Sequence, residues 1–125
     1  MPHSIVEYSA NLADTFDRPQ FAKGLHEALV RVAGGRAEGC KTRFVRLDET
    51  YIADGSPHYS MVHAQVGILS GRPPQVRREL AEAVLAALRD TVRPLPEAEL
   101  QLSVDVRELD RETYAQHDTP AQVRS

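Results

Sequence analysis

Pro2 is the residue of this 125-residue chain whose type and place most invite chemistry. Met1 precedes a small residue, so removal of the initiator is expected, and it would leave Pro2 as a secondary amine on a free end. An ordinary α-amino group titrates near ~8, and a pyrrolidine nitrogen is intrinsically more basic. Burial in an apolar pocket and nearby cations both lower an amine's pKa. Each unit of lowering corresponds to roughly 1.4 kcal/mol. One or two arginines with partial desolvation would therefore make the nitrogen a general base at neutral pH. The bland alternative is a terminal residue that is merely tolerated, and the rest of the chain decides between them.

The other chemistry-bearing residues offer less. Only Lys23 and Lys41 are lysines among the fifteen cations. Arginine suits carboxylate recognition, although genome composition accounts for most of that bias. His58 and His63 lie five apart on extended chain, hence on opposite faces, and His3, His26 and His117 have no ligand spacing. No metal and no cofactor are expected. His63 reads as a strand-face residue packing on a neighbour, with a catalytic role the weaker reading. Glu7 fits a structural role, pairing with an arginine across a subunit contact. Tyr8 and Tyr59 are expected to pack, with pocket lining the alternative. The lone Cys40 cannot form an intrachain disulfide, and no His or Asn partner is placed to make it a nucleophile.

The element carrying Pro2 is a strand, since Ile5, Val6 and Tyr8 favour a pleated, half-buried surface. An amine at its tip would be held by a sheet. Residues 11–17 read as a polar loop. A helix follows from near Pro19, a residue suited to a first helical turn, with an apolar stripe of Phe21, Leu25, Ala28, Leu29 and Val32. Gly34-Gly35 ends it. A second strand spans 41–47, placing Lys41, Arg43, Val45 and Leu47 on one face. The turn-rich segment 48–57 leads to a third strand over 59–69. Ser70-Gly71-Arg72-Pro73-Pro74 is a sharp corner into a second helix with stripe Val76, Leu80, Val84, Ala87 and Leu88, which Pro94 and Pro96 prevent from continuing. A fourth strand covers 100–109. The tail from Asp110 is polar, with Tyr114 its one large apolar anchor.

This is one domain over 1–125, built from two β-α-β units of about 2–48 and 58–109 plus the tail 110–125. Strand, crossover helix and strand imply parallel pairing inside each unit. The expected fold is α+β, a four-stranded sheet with two helices on one face. Its other face is expected to carry enough apolar side chains to need a symmetric partner, a solvated ferredoxin-like domain being the competing reading. Hydrophobic residues at 42% and charged residues at 26% indicate a globular chain. A net charge of −3 makes no case for nucleic acid or an anionic membrane. No signal peptide or membrane-length apolar run is read, so a cytoplasmic location is expected.

Pro2-His3 is followed by Ile5-Val6-Glu7-Tyr8-Ser9 and Asn11-Leu12. Then come Phe21-Ala22-Lys23, the strand around Arg43, Leu47-Asp48, Ala53-Asp54-Gly55, a strand containing Val62-His63, and Gly71-Arg72. In this order and spacing the chain resembles the tautomerase superfamily, and within it the 5-carboxymethyl-2-hydroxymuconate isomerase family. The resemblance covers nearly the whole chain, through Glu108-Leu109 and the polar tail. It implies a homotrimer of β-α-β-β-α-β subunits with an active site at each amino-terminal proline, near a subunit boundary. It also implies cofactor-free transfer of a proton between carbons of an unsaturated 2-hydroxy or 2-oxo carboxylic acid, in aromatic-compound catabolism. Pro2 matches the catalytic proline and Arg72 a substrate-binding arginine. The second substrate-binding cation falls in the stretch 41–43: Lys41 stands where the family pattern carries an arginine, Arg43 aligns with another, and either could serve. A lysine there is a point charge, not a fork.

The chemistry agrees from below. Taking a proton beside a conjugated carbonyl or enol builds negative charge on oxygen, which a guanidinium in a water-poor site stabilises. Free backbone N–H groups at the corner before the second helix are expected to assist Arg72. Two alternatives stand beside this: a superfamily hydratase, dehalogenase or decarboxylase using Pro2, and a noncatalytic trimeric binding module.

Overall fold

The computed structural model describes residues 2–122. Its order is β1 (His3–Ser9), α1 (Arg18–Ala33), β2 (Lys41–Leu47), β3 (Tyr59–Leu69), α2 (Pro74–Thr91) and β4 (Glu99–Leu109), with short 3-10 turns at Ala10–Leu12, Ala37–Gly39 and Arg111–Thr113. The sheet runs β2-β1-β3-β4. Pairing is parallel between β1 and β2 and between β3 and β4, and antiparallel between β1 and β3. The two β-α-β units thus join through their first strands, and β2 and β4 are the edges. Among the described residues no helix is long and apolar enough to cross a membrane.

Alternation along the strands decides which face is covered. Val6, Tyr8, Val62, Ala64, Val66 and Ile68 are buried on one face beneath Phe21, Leu25, Ala28 and Leu29 of α1 and Leu80, Val84 and Leu88 of α2. Gly24 lets the helices approach closely, since a Cβ built there would lie 3.4 Å from that of Ala87. Asp17 caps α1 by accepting from the Gln20 amide at 3.1 Å. Gly34 ends the helix in the left-handed conformation, φ 72°, and the Gly35 amide reaches back to Leu29 O at 3.0 Å.

One expectation needs correction. The segment 11–17 is not a polar loop. Leu12 and Phe16 are buried, because a 3-10 turn swings them under the helices. Phe16 sits edge-on to Tyr8 and near the rings of Phe21 and Phe44, and it bridges Val92. The uncovered sheet face is mixed: Ile5, Val45, Leu47, Tyr59, Met61 and Leu109 share it with His3, Glu7, Lys41, Arg43, His63, Gln65 and Arg107.

The tail is tied to β1 on that open face. Tyr114 is half-buried, and its hydroxyl lies 2.7 Å from His3 Nε2 and donates to Gln116 Oε1 at 3.1 Å, so His3 donates to Tyr114. Burial, with the neighbouring charges of Lys41 and Arg43, holds the His3 pKa below 6.5. Burial lowers that of His26, bonded to Thr42, in the same way. The folded chain therefore resists protonation that the unfolded chain accepts. The resulting stability is complete above 6.5 and is lost as pH falls through the folded values. Urea midpoints followed from about pH 7.5 to about pH 5 should fall, and His3→Gln should make that fall shallower, with His26 supplying the remainder. An unchanged slope in His3→Gln would contradict the assignment.

Candidate active site

Parallel pairing of β1 with β2 reaches back beyond the strand, because the Lys41 amide donates to the Pro2 carbonyl at 3.0 Å. Pro2 is buried and falls on the helix side of the sheet, in phase with the buried Ser4 and Val6. Antiparallel β3 brings its C-terminal end to the same place, and β4 follows it. The C-terminus of α1 arrives there as well. The result is a cavity of about 130 Å³ lined by Pro2, the Ala33-Gly34-Gly35-Arg36 turn, Ile68, Leu69, Arg72 and Arg111. A Cβ on Gly35 would lie 3.3 Å from Leu29 O, tighter than side chains usually accept, and 3.5 Å from Pro2 Cγ, an ordinary contact, so the glycine eases the turn against the end of α1 beside the proline.

Arg72 is fastened, not free. Its Nε donates to Ala33 O at 2.7 Å and its Nη1 to Leu69 O at 2.9 Å. One guanidinium thus ties the carbonyl end of α1, where a cation is favoured, to the end of β3. Arg72 also lines the cavity that contains Pro2. The expected help from backbone N–H groups at this corner is not available in the anticipated form. Pro73 and Pro74 occupy the cap and first helical positions, and neither carries an N–H.

Lys41 and Arg43 are placed differently. Their register partners are His3 and Ile5, so both project from the open face, opposite the Pro2 cavity, and both are exposed. Lys41 Nζ donates to Gly39 O at 3.1 Å. Within one chain neither lines the cavity. Two cations that do line it, Arg36 and Arg111, were not singled out from the sequence. Their signal was positional: one follows the helix-ending glycines and the other follows the last strand, at the end where Pro2 lies.

The remaining candidates have structural surroundings. Burial raises the Cys40 thiol pKa, and its Sγ donates to Arg36 O at 3.4 Å. His63 Nδ1 is 2.7 Å from Ser103 Oγ on the open face, and Glu7 sits opposite His63 in the register. Tyr8 packs on Phe16 with the Arg18 guanidinium 4.8 Å from its ring centre, at the far end of β1 from Pro2. Tyr59 lies at the distant end of β3. Removal of Met1 concerns a residue outside those described.

Comparison with known proteins gives a consistent picture. The family model for 5-carboxymethyl-2-hydroxymuconate isomerase matches residues 2–122. The 5-carboxymethyl-2-hydroxymuconate Delta-isomerase of Escherichia coli is 29% identical over 110 residues, 87% of each chain. A crystal structure of a 5-carboxymethyl-2-hydroxymuconate isomerase from Deinococcus radiodurans R1 superposes with a TM-score of 0.80 at 26% identity, over 94% of this chain and 90% of that one. A fused 4-OT symmetric trimer shares the fold at a TM-score of 0.73 and 15% identity, over 95% and 94% of the two chains.

The double attachment of Arg72 sets a stability expectation. Arg72→Ala should lower unfolding free energy by about 1.5–3 kcal/mol, the range for hydrogen bonds to a charged group. Arg72→Lys should restore less than half, since an ammonium cannot span both carbonyls as a fork. Urea unfolding of the three proteins measures this, and a loss indistinguishable from zero would mean that the ties carry no load.

Proposed function

The chain belongs to the 5-carboxymethyl-2-hydroxymuconate isomerase family, and from that membership we propose that it is a cofactor-independent isomerase with Pro2 as its general acid and base. The observation that carries this reading is the shared cavity of Pro2 and Arg72, whose lining combines arginines with the apolar Ala33, Ile68 and Leu69. The substrate is an unsaturated 2-hydroxy dicarboxylic or tricarboxylic acid of the 5-carboxymethyl-2-hydroxymuconate type. With Met1 removed, the neutral Pro2 nitrogen takes the proton of the 2-hydroxyl group. The charge left behind spreads as a dienolate over the conjugated system, with Arg72 at its oxygen or the adjacent carboxylate. The pyrrolidinium then returns the proton to a distant carbon, moving the double bond. One proton leaves oxygen and one arrives at carbon, so nothing else is consumed.

Assembly belongs to the same proposal. The fused 4-OT neighbour is a trimer by description, and in this chain β2 and β4 leave two sheet edges and one sheet face uncovered. A homotrimer would cover them. Lys41 and Arg43 are separated from the cavity of their own subunit by the sheet. They would bind substrate only at a site composed of more than one subunit. Aromatic-compound catabolism is the setting that such a substrate suggests.

Ketonisation of 2-hydroxymuconates, followed by ultraviolet absorbance, tests this directly. Pro2→Ala should lower kcat by about a hundredfold or more, the usual size of a lost general acid–base group. Sedimentation as a trimer should be unchanged. Turnover at the wild-type rate would exclude the proline mechanism, and intact mass must first establish that Met1 is gone.

A further inference from the structure

Four arginines stand at this end of the fold, and their counter-ions are unequally distributed. Arg36 has Glu38 at 3.2 Å. Arg77, on α2, has Glu108 at 3.6 Å. Arg72 is bound to two carbonyl oxygens. Arg111 has neither a carboxylate nor a second carbonyl among the described residues, since its single side-chain bond is from Nε to Ser70 O at 3.2 Å.

Arg111 is nevertheless held in place. Ser70 grips it by accepting the Arg111 amide on Oγ at 3.1 Å, and the Ser70 amide donates to Leu109 O at 2.8 Å. The guanidinium then passes over Gly71, φ 123°, where a built Cβ would lie 4.0 Å from Nη2. Glycine at this corner supplies the backbone conformation, φ 123°, that turns the chain beneath the guanidinium. Arg111 lines the same cavity as Pro2 and Arg72. Two guanidiniums without carboxylate partners, Arg72 and Arg111, thus line one small cavity with Pro2.

A single carboxylate beside Pro2 engages one of them. The second calls for a second anionic group on the same molecule. We infer that Arg111 is a specificity-determining residue that binds the distal carboxylate of the substrate and so selects dicarboxylates over monocarboxylates. This rests on the isomerase reading for the identity of the substrate, but not for the binding preference itself.

Two pairs of ligands separate these claims. For turnover, 2-hydroxymuconate is compared with 2-hydroxypenta-2,4-dienoate, which lacks the distal carboxylate. For binding without reaction, 2-oxoadipate is compared with 2-oxopentanoate by calorimetry. Arg111→Gln should raise KM and Kd for the dicarboxylates about tenfold, the scale of a lost charge-assisted interaction, with kcat nearly unchanged. Values for the monocarboxylates should stay the same, and Arg111→Lys should recover most of the preference. Equal weakening of both classes, or no change in either, would overturn the assignment. So would a wild-type protein that binds both classes alike. Should the wild type bind the dicarboxylates selectively without turning them over, the isomerase reading fails while the Arg111 assignment is still decided by the calorimetric ratio.

Discussion

The contact on which the site depends is the fork of Arg72, which binds Ala33 O at the end of α1 and Leu69 O at the end of β3. It joins the C-terminus of a helix from the first β-α-β unit to a strand from the second. A helix C-terminus carries partial negative charge, and a cation there is stabilised. That same cation is placed on the wall of the cavity containing Pro2. Structural and chemical demands therefore fall on one side chain. Replacing it disturbs packing and charge together, which is why stability and turnover have to be measured separately.

The pairing of strands explains why chemistry collects at this edge. Parallel β1 and β2 put the amino terminus beside the turn that follows α1. Antiparallel β1 and β3 then bring the corner at Gly71-Arg72 alongside, and parallel β3 and β4 bring Arg111. Side-chain alternation does the opposite for Lys41 and Arg43, sending them through to the open face. Their charges act instead on His3, whose protonation they oppose. Strand parity thus separates Lys41 and Arg43 from Arg36, Arg72 and Arg111, which reach the cavity from the segments that follow α1, β3 and β4.

Much of this was legible in the residues. The stripes from Phe21 to Leu29 and from Leu80 to Leu88, the glycine stop at Gly34 and the double proline at Pro73-Pro74 mark both helices, since period and backbone restriction act locally. Strand limits at Lys41–Leu47 and Tyr59–Leu69 follow from alternation between turn residues. Phe16 was misjudged because its surroundings come from separate elements: the rings of Tyr8, Phe21 and Phe44 and the backbone bridge to Val92. Arg111 was invisible for a related reason: only the β3–β4 register and the Ser70 bonds carry it to Pro2. The meeting of Pro2 with Arg72 was suggested by family resemblance, and periodicity by itself gave no distance between them. The placement of Lys41 on the open face was implicit in strand parity, but which face held Pro2 required the helices.

The most direct test of the account is titration of the Pro2 nitrogen in the processed, assembled protein, by 15N NMR of proline-labelled material. Guanidiniums and an apolar wall around that nitrogen should lower its pKa below the ordinary α-amino value of about 8, leaving a substantial neutral fraction at neutral pH. A nitrogen that stays fully protonated well above about 8, or that is found acylated by a retained Met1, would contradict it.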